Sequence, residues 1–301
     1  MNFEELLSTG KPLLSRLATR AKVWTALLAL ALFSAAAHAA PPGLVYVVTV
    51  GAEGPQFGAV DLANGEYLPI GKPAPAELAN LVWWKGSLLS LATSDPYAGD
   101  LVKINPFDGT VSVIGSTGLG YNAFSLAEVK GKLYLTDFEN NLYTVDPHTG
   151  AAKLLAATGM PADPQTPFST NPNGTVNLCD QAIYGLDGSL YATFDSFNID
   201  PVTLVLDKDP ADATVSPALY RINPSTGAAT LVGPTYLQLG AAVALGGKFY
   251  AFRLSPTGFS DEGPIAFSEL YTMDLSTGQL KFLRIVDTAA GIIFGAAPVI
   301  P

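Results

Sequence analysis

The sequence predicts an all-β fold, a five-bladed β-propeller of four-stranded blades whose ring is closed by its N- and C-terminal strands. Three observations carry that expectation. A turn word opening on Asp or Asn and ending on Gly occurs five times, at Asp61–Gly65, Asn105–Gly109, Asp146–Gly150, Asn223–Gly227 and Asp274–Gly278. A second word with a Gly turn occurs four times, at Trp84–Leu88, Val129–Tyr134, Leu186–Tyr191 and Leu245–Tyr250. The stretch 43–50 (GLVYVVTV) has no strand before it to pair with, and 291–299 (GIIFGAAPV) has none after it, so each completes the other. A four-stranded unit of about thirty-five residues cannot bury both faces alone, so copies must stack.

Each element follows from local chemistry. Alternating apolar residues precede every turn word (GAVDL, LVKIN, LYTVD, LYRIN, LYTMD), and a further strand follows it (EYLPI, TVSVI, AAKLL, AATLV, QLKFL). The Asp or Asn side-chain oxygen opens such a turn and Gly supplies the positive φ that closes it. These turns therefore join strands three and four of each blade. The second word joins strands one and two, after apolar inner strands at 77–84, 122–129, 179–185 and 239–246. Small residues in several of these suit the crowded region near a central axis. A six-bladed ring is the alternative, because Gly150–Gly227 spans 77 residues against 41 for Gly109–Gly150, and 202–206 (VTLVL) reads as an extra strand.

The first forty residues read differently. Lys11, Arg16, Arg20 and Lys22 precede an apolar run from Val23 to Ala37, which ends in Ala37-His38-Ala39. That order is a secretory signal peptide, with cleavage expected after Ala39. The run is shorter than the roughly 20 residues of a spanning helix. Residues 40–301 are then a single exported propeller domain, secreted or periplasmic by a Sec-type route. Without the leader the chain carries twelve basic and twenty-four acidic side chains, a net charge of −12. An acidic surface repels nucleic acid and anionic lipid, so neither is an expected partner. The single cysteine, Cys179, excludes an internal disulfide and reads as a small buried hydrophobe.

The repeated pattern LYxIDPxTGxxxxIG with a following G-x-L-Y resembles bacterial secreted β-propeller repeats of the broad NHL and YVTN-like kind. The resemblance covers nearly all of the exported chain. It implies architecture and leaves function open, since such repeats serve enzymes, ligand binders and adhesion modules alike. The stretch from Asp61 to Ile70 is also similar to a pyrroloquinoline-quinone propeller repeat. It lacks the Trp that those repeats place after the turn, so no quinone cofactor is expected.

Function is expected on the face opposite the two short turns, where the loops are long. That face collects carboxylates, including Asp95, Asp137, Asp195 and the run Asp207, Asp209, Asp212. This run has spacing that suits Ca²⁺ oxygen ligation, but lacks the Gly and distal Glu of an EF-hand loop. No other cofactor is expected. Positions at the mouth of the inner strands are Glu77, Asn122, Asp180 and Gln238, with Asn80, Ser125 and Gln181 just inside. Aromatic residues in or beside the open-face loops are Tyr97, Tyr121, Phe138, Phe194, Phe197, Phe259 and Phe267.

Three functions fit this inventory. The leading one is a non-catalytic exported propeller that binds a ligand, glycan or protein through Asn122, Gln181, Gln238, Phe138, Phe197 and Phe259. The second is a glycosidase or lactonase with Glu77 and Asp180 as its carboxylates. The third is a structural interaction scaffold. Ser–His–Asp catalysis is disfavoured because His148, the one histidine after the leader, sits in a short hairpin turn.

Overall fold

The structure is a computed structural model. It describes residues 43–51, 53–160, 176–199, 217–254, 258–260, 263–265 and 267–300. The leader lies outside this set, as do 161–175 and 200–216.

The strands run in chain order. The first three are β1 (Leu44–Gly51), β2 (Gly54–Asp61) and β3 (Tyr67–Pro69). Next come β4 (Leu78–Trp84), β5 (Ser87–Ala92), β6 (Asp100–Ile104) and β7 (Val111–Ser116). They are followed by β8 (Ala123–Val129), β9 (Lys132–Asp137), β10 (Asn141–Val145) and β11 (Ala152–Ala157). The fourth group is β12 (Val176–Leu186), β13 (Ser189–Ile199), β14 (Ala218–Ile222) and β15 (Ala229–Pro234). The last elements are β16 (Leu239–Leu245), β17 (Lys248–Leu254), the short pair β18 (Gly258–Ser260) and β19 (Gly263–Ile265), then β20 (Ser268–Met273), β21 (Leu280–Ile285) and β22 (Ile292–Pro298).

They form five four-stranded antiparallel sheets: β22-β1-β2-β3, β4-β5-β6-β7, β8-β9-β10-β11, β12-β13-β14-β15 and β16-β17-β20-β21. The innermost strands touch in a ring: β22 with β4, β4 with β8, β8 with β12, β12 with β16, and β16 with β22. This is a five-bladed propeller. The first blade takes its inner strand from the C-terminal end of the chain, with Val45 opposite Pro298 and Val47 opposite Ala296. Among the described residues the long fourth-blade interval holds no sixth blade. It goes in part into β12 and β13, eleven residues each. The stretch 202–206 lies outside the described residues.

The repeated words fold alike. In all five turn words the opening side-chain oxygen accepts the N–H two residues on: Ala63, Phe107, His148, Ser225 and Ser276, at 2.8–3.1 Å. The closing Gly then donates to the opening carbonyl and sits at φ between 70° and 82°. A Cβ there would meet left-handed strain, which is why the word ends in Gly. In the second word both central residues have positive φ, as in Lys85-Gly86 and Asp187-Gly188. That is the hairpin turn whose twist matches the flanking strands.

Alternation along the strands sends side chains to two different seams. Val45 and Val47 pack with Val243, Phe252 and Leu270 of the fifth blade, while Tyr46 and Val48 pack with Leu81, Leu88 and Val102 of the second. Each of the five seams holds its own apolar core. Tyr134 and Tyr191 are buried in these seams and Tyr250 packs half-buried against one, as the place of all three at the end of the repeated second word leads one to expect. The indole N–H of Trp83 donates to Pro298 O at 2.7 Å and ties the second blade to the closing strand.

Candidate functional site

The inner strands begin on the face where strands two end, so inter-blade loops and the loops joining strands two and three share one side. The axis opens there into a cup. Its walls are Glu77, Leu78 and Thr93 from the second blade, Phe124 and Phe138 from the third, and Phe294 from β22, with Tyr121 at the junction before β8. Asn80 and Ser125, further along β4 and β8, form its floor, and the enclosed space is about 240 Å³.

The floor is a fixed hydrogen-bond network. Asn80 is buried and left-handed, at φ 57°, a conformation that Asn tolerates better than other side chains. Its Oδ1 accepts the Ser125 hydroxyl at 2.9 Å and the Leu126 N–H at 3.0 Å. Ser125 Oγ in turn accepts the Ile183 N–H at 2.8 Å. Asn80 Nδ2 donates to Ile183 O at 3.4 Å, and its own carbonyl accepts the Ser90 hydroxyl at 2.7 Å. Three inner strands, β4, β8 and β12, are thereby joined at the axis. Gly295 of β22 lies against the same point, since a Cβ there would stand 2.5 Å from the Asn80 carbonyl carbon.

One wall is equally well fixed. Asp137 ends β9 and is buried. Its carboxylate accepts the N–H groups of Glu139 (3.0 Å) and Asn141 (2.9 Å), the Asn141 amide (3.0 Å) and the Tyr143 hydroxyl (2.8 Å). Burial, then the adjacent Asp137 carboxylate, pushes the Tyr143 phenol up to about 12. Thr158 closes the far side of this turn by donating its hydroxyl to Asn140 O at 2.9 Å. The turn holds Phe138 against Phe124, ring centroids 4.5 Å apart and tilted by 51°. At the rim, Asp95 accepts the exposed Tyr121 hydroxyl and raises its pKa. The Glu77 backbone is anchored by its N–H to Ser94 Oγ at 2.8 Å, leaving an exposed side chain at the mouth.

Of the residues singled out from sequence, Glu77, Asn80, Tyr121, Ser125 and Phe138 line the cup. Asn122 is exposed just before β8 and Gln238 is half-buried just before β16, both at the same end of the axis but outside the lining. Asp180 and Gln181 stand on β12, Phe197 on β13 and Phe259 on β18, with side chains outside the described residues. Asp207, Asp209 and Asp212 lie outside the described residues altogether. Phe194, read as an open-face aromatic, is instead 1% exposed in the third-to-fourth seam. The reason is register: β13 continues past it to Ile199, so Phe194 is mid-strand.

Phe124 and Phe294 were missed. Both occupy inner strands that read as largely apolar, and only their place near the mouth turns them toward the cup. Among the described residues no three His, Cys, Asp or Glu side chains gather as a metal centre requires. Among the same residues, no helix is long and apolar enough to cross a membrane.

Fold and site together define a class: a β-propeller with an aromatic-walled, polar-floored cup at one end of its axis. Comparison with family models finds no match, and comparison with curated protein sequences finds none either. Among solved structures, the chain is similar to TolB from Acinetobacter baumannii, at 13% identity and a TM-score of 0.45. That alignment covers 85% of this chain and 67% of TolB. The chain is also similar to the computationally designed Ika8 protein, at 14% identity and a TM-score of 0.32, over 85% of this chain and 63% of the designed one.

Proposed function

We propose that this chain is an exported bacterial propeller of the broad NHL and YVTN-like kind that binds a ligand without transforming it, through the cup on its long-loop face. The observation that carries this reading is the cup itself. Its walls are drawn from several blades and its floor is held by hydrogen bonds among Asn80, Ser125 and the backbone of Leu126 and Ile183. Its aromatic side chains are half-buried or exposed although the seams beside them are closely packed. Preformed concave sites with aromatic walls and a few placed polar groups are the usual form of a ligand pocket. A volume of about 240 Å³ suits one small group, or one side chain or sugar unit of a larger partner.

The test uses residues 40–301 on a glycan and peptide array, followed by calorimetry on any hit. Phe138→Ala and Tyr121→Ala should each weaken a genuine cup ligand by about tenfold, the usual scale for a contributing aromatic. Hits whose affinity ignores both substitutions would move the binding site away from the cup.

A further inference from the structure

Resting on the cup reading, we propose that the group it accepts is a quaternary ammonium head carried by a small organic cation. Four features point to this chemistry. First, aromatic side chains converge from separate blades: Phe124 and Phe138 from the third, Phe294 from the first, and Tyr121 from the junction between the second and third. Aromatic faces attract a desolvated cation through their quadrupole, and cages of this kind are the established means of holding quaternary ammonium groups. Second, the fixed charge at the mouth is negative. Glu77 lines it and Asp95 stands hydrogen-bonded to Tyr121.

Third, among the described lining residues there is no Lys, Arg or His to meet a carboxylate or phosphate. Anionic ligands are therefore opposed both by the site and by the acidic chain around it. Fourth, the floor's side chains are already engaged with one another and with the backbone. Asn80 Oδ1 takes two donors and Ser125 Oγ takes the Ile183 N–H. A primary ammonium brings three N–H donors, and the Glu77 carboxylate at the mouth cannot satisfy all three while the ion sits among the rings. A quaternary head brings none, so it loses no hydrogen bond on entering. Its compact apolar surface also suits a space of about 240 Å³, smaller than the ~300–1,000 Å³ typical of drug-sized pockets.

The experiment is a calorimetric and NMR titration of residues 40–301 with choline, tetramethylammonium and 3,3-dimethylbutan-1-ol, the neutral carbon isostere of choline. Choline and tetramethylammonium should saturate one site, with the isostere at least about tenfold weaker, as the loss of a desolvated cation–π contact requires. Glu77→Gln should weaken choline by about fivefold and Phe138→Ala by about tenfold. Glu66→Gln, the same charge change beside a turn on the opposite face, should leave affinity unmoved, and unchanged melting curves certify that each variant is folded.

Equal affinity for choline and its isostere would overturn the cation inference while leaving an apolar binding cup in place. So would failure of both cations at about 50 mM, a ceiling well above ordinary ligand affinities, together with an array hit that the cup variants weaken. Failure of both cations and array hits indifferent to the cup variants would remove the two readings together.

Discussion

Replacing Asn80 by alanine should lower stability by about 3–5 kcal/mol, because several losses coincide at one buried point. The Leu126 N–H and the Ser125 hydroxyl both lose their acceptor, and a buried donor left without one costs about 1–3 kcal/mol. Alanine at φ 57° adds roughly 1 kcal/mol of left-handed strain that Asn largely avoids. For a domain of this size, 1 kcal/mol moves the melting temperature by roughly 2–4 °C, so the transition should fall by about 6–20 °C. Differential scanning calorimetry of residues 40–301 reads this directly. Asn80→Gly relieves the backbone strain but keeps the orphaned donors, and should recover only about 1 kcal/mol of the loss. Ser125→Ala strands the Ile183 N–H and should cost about 1–3 kcal/mol. The double variant should be less destabilised than the sum of the singles, because the two residues share a bond. If the alanine and glycine variants both melt within about 2 °C of the parent, the floor network does not hold the inner strands together.

Other expectations are quickly checked. Alkaline titration followed at 295 nm should show late-ionising phenols, Tyr143 among them at about pH 12, and Tyr143→Phe should remove one phenol from that late component. Because that folded pKa lies above the ordinary value of 10, the folded protein keeps a proton that the unfolded chain has released. The Tyr143 contribution is therefore complete below pH 10 and lost as pH climbs to about 12. Urea unfolding at pH 9 and pH 11.5 should show a smaller drop for Tyr143→Phe than for the parent. Deleting Ile292 to Pro301 should yield aggregated protein without a cooperative transition, because β1 loses its inner partner; a soluble monomer with a normal melt contradicts ring closure. Adding EDTA should leave the melting temperature unmoved, since the Asp207–Asp212 run lacks the pattern of a strong calcium loop; a drop reversed by Ca²⁺ would assign that run as a metal site.

The framework was legible in the sequence because its turns are chemically forced. Asn105 and Asp146 cannot be exchanged for apolar residues without losing the side-chain acceptor that opens the turn, and Gly109 and Gly150 occupy left-handed backbone. Such residues therefore recur at fixed spacing and can be counted. The unpaired ends, 43–50 and 291–299, disclosed the closure for a similar reason: a strand without a neighbour is a vacancy that something must fill. The cup was less legible. Glu77 and Phe138 could be nominated because they flank strands as the polar and aromatic exceptions. Phe124 and Phe294 could not, since an inner-strand Phe reads as core until the axis is known to widen beside it. Asn80 was legible as a polar residue near the axis, but its role as a buried pin depends on Ser125 and Ile183, which are 45 and 103 residues away in sequence. No periodicity records that meeting.

The pairing of β22 with β1 also fixes an order of events. A ribosome releases β1, β2 and β3 before the other blades, yet the strand that completes their sheet is the last of the ring to be synthesised. Until Ile292 and its successors emerge, the earliest blade carries an open hydrogen-bonding edge of valines, Val45, Val47 and Val48, that is sealed in the finished ring. Growing chains are thus most prone to join one another at their oldest segment, not their newest. Any factor that shields nascent molecules would need to cover that N-terminal edge for the whole time of synthesis.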